Sequence, residues 1–141
     1  MKKALFFMMI FTIALASAAM ADPAYKAYYA NRTAAHECEK SGDTTCAVAN
    51  YLAAETAALK QDAEKTADDV GEWLKWAGWQ RSNAGEVLIL KYNALLTKDV
   101  LDKSLLEEAI RILEAGKVTS PDPAAMIKKN LKYCKTQLGL E

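Results

Sequence analysis

Apolar positions along this chain recur at spacings of three and four rather than two, and no stretch alternates apolar and polar residues for long. That periodicity predicts helices throughout and an all-α fold. The first predicted helix spans residues 24–40 and stops at Ser41-Gly42-Asp43, a turn signal that leaves Asp43 or Thr44 to cap the next helix. The second, TTCAVANYLAAETAALKQDAEK, places Ala47, Tyr51, Ala54 and Ala58 on one narrow face of mainly small side chains, which suits close helix packing. After the polar stretch Thr66-Ala67-Asp68-Asp69, a long helical pattern reaches Leu96 with Leu88, Tyr92 and Leu95 on one side. The fourth segment, DKSLLEEAIRILEAGK, presents Leu105, Leu106, Ala109, Ile110 and Leu113 and ends near Gly116. The fifth follows Pro121-Asp122-Pro123 and is expected to bury Ile127, Leu131, Cys134 and Leu138. Abundant alanine, with proline confined to positions 23, 121 and 123, fits about five helices.

The N-terminus reads differently. MKKALFFMMIFTIALASAAMADPAY has two lysines, an apolar run from Ala4 to Ile13, and small residues ending in Ala19-Met20-Ala21. This is the pattern of a secretory signal peptide over residues 1–21, cleaved before Asp22. The apolar run is shorter than the roughly 20 residues that span a bilayer, so no membrane anchor is expected after cleavage. A periplasmic or secreted protein is implied, in a compartment where disulfides persist.

Residues 22–141 then form one helical domain with enough chain for a modest core. All 18 acids and 16 of the 18 bases lie there, leaving a formal charge of −2. Such a balance gives no electrostatic reason to expect nucleic acid or an anionic membrane as a partner.

Short helices, small residues at crossings and a proline after a hairpin prompt a test for internal repeats. YYANRTAAHECEKSGDTTCAVANYLAAETAAL resembles a tetratricopeptide repeat: Ala35 stands at the helix crossing, Gly42-Asp43 at the turn, and Ala47, Tyr51 and Ala54 on the second helix. LLEEAIRILEAGKVTSP resembles it again, with Ala109, Leu113 and Gly116 in the same spacing and Pro121 where the repeat ends. The stretch NALLTKDVLDKS and residues 61–71 are longer than that family's connections. The chain also resembles the Sel-one-like repeat, a related helical hairpin whose secreted cysteine-rich members link adjacent helices through two cysteines seven residues apart. Either resemblance implies antiparallel helical hairpins stacked as a short solenoid.

Cys38 and Cys46 are separated by seven residues and admit three readings: a metal clip, a redox pair or a structural staple. In one continuous helix their Cα atoms would lie about 12 Å apart, whereas a disulfide needs roughly 4.4–6.8 Å. A bridge therefore requires the chain to reverse at Ser41-Gly42-Asp43, where the turn signal lies. A zinc site needs more ligands than His36 and two cysteines supply, and redox pairs are usually closer in sequence. The staple is the favoured reading, and no metal or cofactor is expected. Cys134 occupies the place equivalent to Cys38 on the tetratricopeptide register, and its apolar spacing favours a buried free thiol over an intermolecular link.

Trp73, Trp76 and Trp79 follow one another at three-residue steps, a stripe that drifts around a helix. Core packing of at least two is expected, and an exposed aromatic patch for a ligand or partner is the alternative. There is no second histidine, no phosphate loop after a strand, no nucleophile elbow and no zinc signature, so no enzyme is expected. Asp68-Asp69 and Glu107-Glu108 read as surface charge.

The function that follows is an exported helical-repeat adaptor for a protein or peptide partner. Its alternatives are an inhibitor or immunity protein of a secreted enzyme, and a small cell-envelope hydrolase or its accessory. On the tetratricopeptide register the groove-facing positions are Tyr29, Arg32, His36 and Glu39 on the first helix. Those of the fifth are Ala125, Lys128, Lys132 and Lys135, a basic stripe suited to an acidic segment of a partner. That family's asparagine clamp for a terminal carboxylate is not matched.

Overall fold

The computed structural model describes residues 23–64, 71–116 and 118–140. The expected leader and Asp68-Asp69 lie outside them. Among the described residues five helices follow one another: α1 Pro23–Ser41, α2 Thr44–Ala63, α3 Glu72–Leu96, α4 Ser104–Glu114 and α5 Pro121–Leu138. Each packs on its neighbour in the chain, and α5 packs on both α3 and α4, giving an all-α stack. The element ends differ from the sequence expectation by a few residues. Pro121 and Pro123 fall inside the first turn of α5 rather than before it, because their missing N–H groups are not needed there.

The α1–α2 reversal is built from local chemistry. Gly42 adopts φ 75°, a left-handed conformation open to glycine, and its N–H donates to the Glu39 carbonyl at 3.0 Å. The Asp43 N–H donates to the Cys38 carbonyl at 2.9 Å, and the Asp43 side chain then caps α2 by accepting from the Cys46 N–H at 2.9 Å. That geometry brings the Cys38 and Cys46 Cα atoms to 5.7 Å, and the two cysteines are joined by a disulfide. Asn50 reaches back over it, donating to the Cys46 carbonyl at 3.0 Å.

Small residues set the spacing of the stack. Ala47, Ala54 and Ala58 are fully buried and Tyr51 nearly so, as the narrow α2 face predicts. Where α3 crosses α4, a Cβ on Gly85 would stand 2.6 Å from the Leu113 side chain, so glycine is the residue that permits this approach. The larger core cluster joins α1 to α5 through Ala35, Tyr51, Ala84, Leu88, Tyr92, Leu106, Ala109, Ile112 and Cys134. Ile112 belongs to it although its buried place was not foreseen, whereas Leu131 and Leu138 are only half-buried. Cys134 is a fully buried free thiol whose pKa is raised by burial.

Among the described residues, the Glu55–Arg81 ion pair lies inside the stack. Arg81 on α3 donates from Nη2 and Nε to Glu55 Oε1 on α2 at 2.6 and 2.7 Å, and from Nη1 to the Ile112 carbonyl on α4 at 3.0 Å. Burial raises the Glu55 pKa, and the Arg81 hydrogen bond and charge only partly oppose it.

Cys46→Ser should cost about 2.5 kcal/mol of stability in chemical denaturation while far-UV circular dichroism keeps its helical signal at low temperature. Arg81→Met should cost about 3 kcal/mol at neutral pH, because it leaves a buried carboxylate unpaired. With its folded pKa raised, Glu55 contributes most stability below its ordinary value of 4.5 and loses it as pH rises through the folded value. The Arg81→Met deficit should therefore shrink toward about pH 4, and a deficit equal at both pH values would show that the charge of Glu55 is not its source.

Candidate functional site

Helices α1 and α3 run in the same direction, since each is antiparallel to the α2 that separates them in the chain. Tyr28 faces Gln80 and Trp76 near one end, and Glu39 faces Val87 and Leu90 near the other. Between them run three adjoining concavities of about 340, 260 and 370 Å³. The first is lined by Tyr28, Arg32 and His36 from α1 and by Trp76, Trp79, Gln80 and Asn83 from α3. The second shares His36 and Asn83 with the first and adds Glu39, Tyr51, Glu86, Val87 and Leu90. The third continues from Glu39, Val87 and Leu90 to Lys91, Ala94 and the turn at Gly42. Together they form one groove.

Helical period explains why these residues share it. On α1 the positions 28, 32, 36 and 39 recur at steps of four, four and three. On α3 each of the positions 76, 79, 80, 83, 86, 87 and 90 lies three or four residues from another of the set, so they share one face. Of the expected α1 positions, Arg32, His36 and Glu39 lie in the groove. Tyr29 instead packs edge-on against Trp76, and Tyr28 takes the lining place. The α3 residues Gln80, Asn83, Glu86, Val87 and Leu90 were missed, although a second three-and-four stripe beside the tryptophans was there to find.

A hydrogen-bond chain crosses the middle of the groove. The Tyr51 hydroxyl, rising from α2, donates to the Glu39 carboxylate and lies 3.0 Å from His36 Nδ1. A carboxylate only accepts and a phenol has one proton, so His36 must donate from Nδ1 to the Tyr51 oxygen. In its neutral form that leaves Nε2 as an acceptor. Burial, then the hydrogen bond and charge of Glu39, and further Glu86, push the Tyr51 pKa upward, while Arg32 opposes them. Two carboxylates and one guanidinium therefore act on the same phenol.

At the other end, Gln80 is 3% exposed and donates from Nε2 to the Tyr28 oxygen at 3.0 Å. Its Oε1 is buried with no hydrogen-bond partner. Burial raises the Tyr28 pKa, against the charge of Arg32 and the Gln80 hydrogen bond.

The tryptophans divide. Trp73 is buried with Tyr28, Ala54 and Ala77, Trp76 is half-buried against that cluster and stacks on Tyr28 with centroids 5.3 Å apart, and Trp79 is half-buried in the groove wall. On α5, Ala125, Lys128 and Lys132 are exposed, and Lys135 pairs with Glu114 on α4 at 2.9 Å. None of them lines the three concavities between α1 and α3. Among the described residues no cluster of three or more His, Cys, Asp or Glu is placed to hold a metal, and no helix is long and apolar enough to cross a membrane.

No family model, curated protein or solved structure matches the chain.

The burial difference among the indoles predicts their fluorescence. A variant keeping only Trp73 should emit blue-shifted and resist iodide, whereas one keeping only Trp79 should be quenched measurably in the folded state. Equal quenching of the two would place Trp79 with the core and remove it from the groove wall.

Proposed function

We propose that this protein is an exported helical-repeat adaptor that holds a segment of another protein in the groove between α1 and α3. The observation that carries the reading is the groove itself, three adjoining concavities walled by two helices and mixing aromatic, amide, charged and apolar side chains. Such a surface suits an extended chain, which offers backbone donors and acceptors along its length and side chains at intervals. It suits catalysis less well, because the single histidine spends Nδ1 on Tyr51.

Export rests on the N-terminal pattern of residues 1–21, and the Cys38–Cys46 disulfide is in keeping with an oxidising compartment. The repeat assignment, tetratricopeptide-like or Sel-one-like, is supported by Ala35, Ala47, Tyr51 and Ala54 being buried at the α1–α2 crossing as either repeat requires. An acidic partner segment remains part of the reading, with Arg32 inside the groove as its counter-charge.

The test begins with the mature chain as bait in an oxidising cell-envelope extract, followed by titration of the captured protein against variants. Leu90→Asp and Asn83→Arg should each weaken binding by at least about tenfold with little change in thermal stability, since Leu90 is exposed and Asn83 half-buried. Lys128→Glu combined with Lys132→Glu should leave the affinity within about twofold. The reverse pattern would move the docking face to α5, and turnover of the captured protein or of peptidoglycan would replace the adaptor with an enzyme.

A further inference from the structure

The charges of the groove cancel and intermingle. Arg32 and Lys91 stand against Glu39 and Glu86, and Arg32, Glu39 and Glu86 all act on the one Tyr51 hydroxyl. Charge therefore gives the groove neither a net sign nor a direction, although Arg32 can still meet one acid. What remains to select a ligand is the α3 wall. Along it Trp76 and Trp79 are followed by Asn83 and then by Val87 and Leu90, so two indoles, a carboxamide and an aliphatic pair lie in order. Trp76 stacks on Tyr28, but among the described residues Trp79 makes no ring contact. Neither its indole N–H nor the Asn83 carboxamide has a hydrogen-bond partner among them. Neither is one of the buried unpaired groups, so both meet solvent on the wall they line.

That wall discriminates between kinds of backbone. An indole N–H donates and never accepts, and indole faces and aliphatic side chains offer a peptide N–H nothing to bind. An ordinary extended strand laid there would bury some of its own N–H groups without acceptors, which is unfavourable. A proline has a carbonyl to accept and no N–H to strand. The polyproline II helix leaves those carbonyls free, because it has no internal hydrogen bonds, and it is ordered before it binds. Resting on the adaptor reading, we propose that the segment held in the groove is proline-rich and is bound as a polyproline II helix. Its rings lie on Trp76 and Trp79 at one end and on Val87 and Leu90 at the other, and its carbonyls accept from Trp79 Nε1 and Asn83 Nδ2. Trp79 and Leu90 are eleven residues apart on α3, about 16 Å, which roughly five residues of polyproline II cover. Aromatic-lined grooves are a recurrent docking site for such chains.

The probe is a capped, fluorescein-labelled octaproline, and the control is a capped Gly-Ser octapeptide with the same label. Binding to the mature, disulfide-bonded chain is read by fluorescence anisotropy. Octaproline should bind at least about tenfold tighter than the control and should displace the protein captured from cell-envelope extract. Trp79→Phe keeps a ring on the wall and removes the N–H, so it should weaken octaproline about fivefold. Asn83→Leu should do the same and Lys128→Glu should not, with the helical signal of each variant checked by circular dichroism. Equal binding of octaproline and the control would overturn the proposal, as would affinities untouched by both Trp79→Phe and Asn83→Leu. Stronger competition by a neutral hexasaccharide than by unlabelled octaproline would overturn it too and assign the indoles to a glycan. If octaproline fails to bind while Leu90→Asp still releases the captured protein, the proline reading falls and the adaptor stands. If Leu90→Asp releases nothing, the adaptor reading fails on its own.

Discussion

Arg81 is the residue on which the geometry of the stack depends. Its guanidinium lies between α2 and α4 and bonds to both, with the Glu55 carboxylate on one side and the Ile112 carbonyl on the other. A buried ion pair of this kind adds little net stability, since removing two charges from water costs nearly as much as their attraction returns. Its effect is on register. A slip of α3 against either neighbour would strand the guanidinium or the carboxylate in the interior, at a cost of several kcal/mol per ion. The surroundings are cut to fit it: a Cβ on Gly116 would stand 2.7 Å from the Arg81 guanidinium carbon, so the chain leaving α4 passes close only because that position is glycine.

From that register the groove face follows. Arg81 points from α3 toward α2 and α4, so residues about half a turn away, Asn83 and Trp79, turn toward α1. Their neighbours Gln80 and Val87 lie at the boundary of core and groove, the one buried with an unpaired oxygen and the other half-buried against the main cluster. The aromatic cluster of Tyr28, Trp73 and Trp76 closes one end of the α1–α3 contact and replaces the small-residue packing used on α2. The first concavity lies beside these rings, with Tyr28 and Trp76 in its lining.

The helices, their order and the close-packed α2 face were legible because they rest on local signals: period, caps and turn residues. Gly42 and Asp43 announced the reversal, and the reversal implied the bridge between Cys38 and Cys46. The second wall of the groove was not legible in the same way. On α3 polar and apolar residues occur all round the helix, because it touches α1, α2, α4 and α5, and period alone does not say which stripe is left open. Glu55 and Arg81 illustrate the limit most sharply. Each looks like a surface charge in sequence, and only the 26-residue separation closed by the fold makes them one buried pair. The α5 lysines form a regular basic stripe that is conspicuous in sequence, and they line none of the three concavities between α1 and α3.

The disulfide reaches the groove through Glu39. That residue directly follows Cys38 in the last turn of α1, where its carbonyl also accepts from Gly42 at the reversal. Its carboxylate accepts from Tyr51 on α2, and the Tyr51 oxygen in turn accepts a hydrogen bond from His36 Nδ1. The covalent link and the hydrogen-bond chain thus span the same pair of helices one turn apart, the first holding the backbone and the second orienting three side chains of the groove. Ends of helices fray first, and a carboxylate in the terminal turn loses its direction when they do. With the cysteines bridged, the last turn of α1 is held to the first turn of α2. Glu39 then keeps its aim, so the carboxylate end of the hydrogen-bond chain is held in place; under the adaptor proposal that lowers the ordering cost of binding.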